Sequence, residues 1–72
     1  MGASTTIKQI LLDKELSITN LADLVDKPRS TVANTLCKNN FQVATLLNYA
    51  ESLDCDLLLR DRRNGREYKI YP

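Results

Sequence analysis

Ser17-Ile18-Thr19-Asn20-Leu21-Ala22-Asp23-Leu24-Val25-Asp26-Lys27-Pro28-Arg29-Ser30-Thr31-Val32-Ala33-Asn34-Thr35-Leu36 is the stretch that decides the fold. Ser17 is a good N-cap, because its hydroxyl can accept one of the first free helical N–H groups. The apolar residues Leu21, Ala22, Leu24 and Val25 then give a short amphipathic helix its buried stripe. Asp26-Lys27-Pro28 stops it, since the residue before a proline is pushed out of the helical region. Pro28 in turn suits the beginning of a new helix, where its missing N–H costs nothing. In that helix Val32 and Leu36 are one turn apart and face inward, leaving Arg29, Ser30, Ala33, Asn34 and Cys37 on the other sides.

Two short helices joined by so tight a connection have the spacing of a helix-turn-helix, whose second helix enters the major groove of double-stranded DNA. The chemistry of that second helix suits the task. Arg29 can form a bidentate pair with guanine and Asn34 with adenine, while Ser30 and Thr31 can reach a base or a phosphate.

Working outward, Ile7, Ile10, Leu11 and the stem of Lys14 share one helical face, so a first helix is predicted over about 5–15, capped by Ser4 or Thr5. After the turn-forming Lys38-Asn39-Asn40, the residues Phe41, Val43, Ala44, Leu46, Leu47, Ala50 and Leu53 predict a fourth helix over about 43–52. Tyr49 on that helix is assigned to core or dimer space. The period changes in the last third. Residues 56–62 and 67–71 flank Arg63-Asn64-Gly65-Arg66, and Asn-Gly is a strong signal for a two-residue hairpin turn. With Asn64 and Gly65 as the turn, Leu59 faces Ile70, Asp61 faces Tyr68 and Leu57 faces Pro72. Leu57, Leu59, Tyr68 and Ile70 fall on one face, and Leu58, Arg60, Arg62, Glu67, Lys69 and Tyr71 on the other. The expected architecture is mainly α: a single domain over 1–72, with four helices followed by a C-terminal β-hairpin at about 56–71.

Seventy-two residues make one small core. The absence of histidine removes imidazole bases, His-containing zinc sites and His-based triads. An enzyme is not expected, and neither is a cofactor or a metal. Cys37 and Cys55 are too few and too far apart for a disulfide framework or a zinc motif and read as free thiols. No apolar run approaches the length of a membrane span and no leader is recognisable, so a cytoplasmic protein without a membrane partner is expected.

The net charge of +1, from ten basic and nine acidic side chains, gives no hint of a nucleic-acid partner until the charges are placed. Positions 27–50 hold Lys27, Arg29 and Lys38 and no acid, so this window carries +3 and the remainder −2. The arginines Arg60, Arg62, Arg63 and Arg66 are open to several readings: a phosphate grip, a contact to an acidic protein, or charges that keep a strand edge from aggregating.

From Leu16 to Leu59, 44 of the 72 residues, the chain resembles the Xre family of helix-turn-helix regulators, which includes phage repressors and Cro proteins. The resemblance is carried by Leu21-Ala22, by Val25 closing its helix, and by Arg29 to Leu36 as the recognition helix. Asn40-Phe41 before the fourth helix and Tyr49-Ala50-Glu51-Ser52-Leu53-Asp54-Cys55-Asp56-Leu57 at its end complete it. It implies a lambda repressor-like domain in which Arg29, Ser30 and Asn34 read bases and Ser17, Thr31, Lys38 and Asn40 lie along the phosphates; Lys27 joins the expected DNA contacts through the acid-free, positively charged window instead. The sequence departs from the family at the turn, where the usual glycine is Asp26, the apolar residue after it Lys27, and the usual cap Pro28. It departs again at Ile18, where a glutamine is common; an isoleucine cannot hydrogen-bond a phosphate and is expected to pack. Lys38 and Asn40 can equally be ordinary turn residues.

One helix of this size reads only a few base pairs, so a homodimer on a near-palindromic operator is expected, with half-sites about 34 Å apart. The hairpin, not needed for a four-helix core, is the expected subunit contact, with Leu58 and Tyr71 as its outward apolar spots. The competing expectation is a protein-binding module, an antitoxin subunit or a small phage inhibitor of a host protein, that uses the arginine-rich hairpin.

Overall fold

A computed structural model describes residues 2–38 and 41–71 of the chain. It is mainly helical: α1 (Ala3–Asp13), α2 (Ile18–Val25), α3 (Arg29–Lys38) and α4 (Val43–Ser52) precede a two-stranded antiparallel sheet of β1 (Leu58–Arg60) and β2 (Glu67–Lys69). Among the described residues no helix is long and apolar enough to cross a membrane.

α2 packs on both α3 and α4, and α1 closes over α3. The core they enclose takes Ile7 and Leu11 from α1, Leu21, Ala22 and Val25 from α2, Val32 and Leu36 from α3, and Tyr49 with Leu53 from the end of α4. Tyr49 is fully buried and meets Phe41 edge to face, ring centres 5.5 Å apart. It is a core residue. Its hydroxyl has no hydrogen-bond partner among the described residues. Three residues expected in apolar stripes lie outside the core: Leu24 is exposed on α2, and Val43 and Ala44 are exposed in the first turn of α4. Each shares its helix with neighbours that already fill the inward arc, and a helix of eight to ten residues has room for only a few such positions.

α1 starts two residues earlier than predicted, with Gly2 at its N-cap and Ser4 buried inside its first turn. Its C-terminus shows a device used three times in the chain. Glu15, Asp26 and Asp54 all lie at positive φ, near 57°, in the left-handed conformation that usually calls for glycine. After each of them the next amide reaches back five residues to close the helix: Leu16 to the Leu11 carbonyl (2.8 Å), Lys27 to Ala22 (3.0 Å) and Cys55 to Ala50 (2.8 Å). Leu16 and Cys55, the residues that follow, are half-buried against the core, the apolar contact that accompanies this cap. Asp26 therefore makes a turn that glycine usually makes, and it does so between α2 and α3.

The hairpin register differs from the sequence expectation by two residues. Leu58 pairs with Lys69, Leu59 with Tyr68 and Arg60 with Glu67, while the Ile70 amide donates to the Leu57 carbonyl at 2.8 Å. A two-residue turn of the expected type needs positive φ at both Asn64 and Gly65, and only Gly65 has it, at 75°. Side chains explain the change. The Asp61 carboxylate accepts from the Arg63 amide (2.8 Å) and the Asn64 carbonyl oxygen from the Arg66 amide (2.9 Å), which closes a four-residue loop over 62–65. A shift of two preserves the faces, so Leu57, Leu59, Tyr68 and Ile70 still share one. Only Leu57 and Ile70 are half-buried; every residue from 58 to 69 is exposed. On the other face Lys69 bridges Asp56 at 3.1 Å and lies 5.1 Å from the centre of the Tyr71 ring. The Asp56 hydrogen bond raises the Lys69 ammonium above the ordinary lysine value.

Glu15→Gly and Asp54→Gly should each raise unfolding stability by about 0.5–1 kcal/mol, because glycine removes the left-handed strain and the acid leaves the negative end of a helix dipole. Urea unfolding measures this; a loss of stability in both variants would contradict the reading of these caps.

Candidate nucleic-acid interface

Val32 and Leu36 are 0% and 2% exposed, so the rotation of α3 about its own axis is fixed. The geometry of the helix then forces Arg29, Ser30, Asn34 and Cys37 outward, and all four are exposed. The Pro28 carbonyl accepts from the Thr31 amide (3.0 Å) and the Val32 amide (3.2 Å), so Pro28 is the last residue before the helix and Arg29 its first. No acid occupies the first turn, and the positive end of the helix dipole is not neutralised from within.

Thr31, Asn34 and Lys38 come together along one side of α3 with Thr35. They line a groove of about 370 Å³ whose opposite wall is Gln42 and Thr45 at the start of α4. Gln42 is the N-cap of α4 but makes no side-chain capping bond, and the first turn of α4 also lacks an acid. The groove thus combines a lysine, hydroxyls, two carboxamides and an uncapped helix N-terminus, a set that suits a phosphate-bearing backbone. Thr35 is the exception, because its hydroxyl donates to the Thr31 carbonyl at 2.9 Å.

Lys27, in the α2–α3 connection, is exposed beside this face. Among the described residues none of Lys27, Arg29 and Lys38 takes part in an ion pair; the pair that is formed joins Lys69 to Asp56, on the hairpin. These three charges are free for an external anion. Asn40 lies outside the described residues.

Ser17 does not join the groove. It lies between α1 and α2, lining a separate, mostly apolar depression with Lys8, Leu11, Leu12, Leu16 and Ile18. Its hydroxyl accepts from the Asn20 backbone N–H (3.1 Å) and donates to the side-chain Oδ1 of Asn20 (2.9 Å), which also accepts from the Ser17 backbone N–H (2.8 Å). With the Ser17 hydroxyl proton and the Asn20 backbone N–H both engaged, the side-chain Nδ2 of Asn20 is the donor that these bonds leave over at this helix start. Ile18 packs against the core, as a side chain without a hydrogen-bonding group should.

Thr35, Gln42 and Thr45 in the groove and Asn20 beside Ser17 are polar residues that the sequence does not single out as a site. Gln42 and Thr45 are polar positions three apart at the start of α4, a spacing that places them on one face but does not show that this face meets α3. Asn20 was signalled by its place three residues after a serine cap. Among the described residues no group of His, Cys, Asp or Glu could hold a metal ion. Cys37 and Cys55 are free thiols, the first exposed and the second half-buried.

Ser17→Ala should lower stability by about 1 kcal/mol through loss of the capping box. Thermal or urea unfolding checks it, and an unchanged midpoint would show that the hydroxyl is free for another role.

Comparison with known proteins adds no relative: no family model, no curated protein and no solved structure matches the chain.

Proposed function

We propose that this chain is a sequence-specific double-stranded DNA-binding regulator of the helix-turn-helix type, with α2 and α3 as the paired helices and α3 in the major groove. The observation that carries the reading is the division of α3. Its inner side is locked by Val32 and Leu36, while its outer side offers Arg29, Ser30 and Asn34 with no acid and, among the described residues, no internal ion pair. In this reading Arg29, Ser30 and Asn34 contact base edges, and Thr31, Lys38, Gln42 and Thr45 follow the phosphates with Lys27. The protein acts as a repressor of the Cro kind: a homodimer that occupies a near-palindromic operator, in the cytoplasm of a bacterium or of a phage-infected cell. Its footprint of three free cations is small, so affinity rests on base contacts and on the pairing of two copies.

The hairpin arginines Arg60, Arg62, Arg63 and Arg66, which form no ion pair among the described residues, support a second reading as a protein-binding module, in which an acidic partner copurifies through them and DNA binding stays non-specific.

Anisotropy titrations on a duplex carrying the preferred site separate the roles. Arg29→Ala should cost about 1–3 kcal/mol and relax preference at one base pair, whereas Lys38→Ala should weaken all duplexes alike and flatten the salt dependence. Equal affinity for preferred and scrambled duplexes would overturn the proposal.

A further inference from the structure

The hairpin extends beyond the helical core with little support, and one of its edges is built to meet its own copy. The Asp61 amide donates to the Arg66 carbonyl and the Ile70 amide to the Leu57 carbonyl, each at 2.8 Å. Hydrogen-bonded and non-hydrogen-bonded pairs alternate along an antiparallel ladder, so Leu59–Tyr68 is the bonded pair between these two. The N–H and C=O groups of Glu67 and Lys69 consequently point away from β1. Among the described residues no strand lies on that outer edge.

We infer that β2 pairs antiparallel with β2 of a second copy, with the two-fold axis at Tyr68, to make a four-stranded sheet across the dimer. The register follows from charge. A two-fold centred on Glu67 would oppose two glutamates, and one centred on Lys69 two lysines. Centred on Tyr68, each Glu67 faces the other copy's Lys69, and the outward backbone groups of these two residues bond to one another. Tyr68 then meets Tyr68 of the second copy, extending the Leu59–Tyr68 pair into a row of four side chains that are 65% and 55% exposed in the single chain. The outer edge of β1 offers no such match of opposite charges within the strand, because a two-fold centred on Leu59 sets Arg60 opposite the other copy's Leu58. Leu58 and Tyr71 flank this contact instead of forming its centre; the Tyr71 ring already lies against the Lys69 ammonium.

Three-residue strands bury less than the roughly 1,200 Å² of a standard stable interface, so the dimer is concentration-dependent and is reinforced when both copies hold one DNA. The inference supplies the contact between copies that the DNA-binding reading calls for. Its test uses no DNA, so the two can fail separately.

Sedimentation velocity on the full chain from micromolar to millimolar concentration provides the test. The wild type should dimerise, and E67K and K69E should each weaken the dimer at least about tenfold, since each places like charges across the two-fold. An equimolar mixture of the two variants should restore it, because the lysines of one chain then face the glutamates of the other. K69E also loses the Asp56 contact within its own chain, which mixing does not repair, so restoration reports the pairing between copies alone. Unchanged helical circular dichroism shows that the cores remain folded. A wild type that is monomeric at millimolar concentration, variants that dimerise like the wild type, or a mixture that stays monomeric would each overturn the inference.

Discussion

Everything proposed for this chain depends on the burial of two side chains one helical turn apart. Val32 and Leu36 enter the core from α3 and set which way that helix faces. Replacing a buried aliphatic side chain by alanine costs about 2–5 kcal/mol, a large share of the stability available to a domain of this size. With that side fixed, Arg29, Ser30 and Asn34 have no choice but solvent. The polar face is thus a consequence of the apolar one.

The same economy governs the connections. α1, α2 and α4 all stop by the same backbone manoeuvre, with an acidic residue where glycine is usual. The tight turn at Asp26 brings α3 back against α2 within three residues, and a longer loop would leave the outer face of α3 less firmly placed. The hairpin lies outside this scheme. Its strands are three residues long, its described residues beyond Leu57 and Ile70 contribute little to the core, and its loop is held by its own side chains. A two-stranded ribbon is marginal alone in water, which makes a partner surface its natural role.

Much of this was legible in the residues. The extents of α2 and α4 follow from Ser17, from Pro28 and from the apolar run after Phe41, and the inward placement of Val32 and Leu36 follows from their spacing. Polar residues on short helices are easily read as outward. What escaped were features set by competition between local hydrogen bonds. Asp61 and Asn64 capture amides two residues ahead and lengthen the turn, a choice that the Asn-Gly pair by itself does not reveal. Leu24 and Val43 match the helical period yet stay exposed, because the small core is filled by their neighbours. Gln42 and Thr45 join the groove only through the approach of α4 to α3, a tertiary fact beyond any local pattern.

The central claim is that α3 reads DNA sequence from two copies of the chain at once. Selection of bound duplexes from a random pool tests it most directly. The account predicts enrichment of an inverted repeat whose half-sites are centred about one helical turn, or 34 Å, apart. A pool that stays random after repeated selection, or one that converges on a single unrepeated motif, would contradict it.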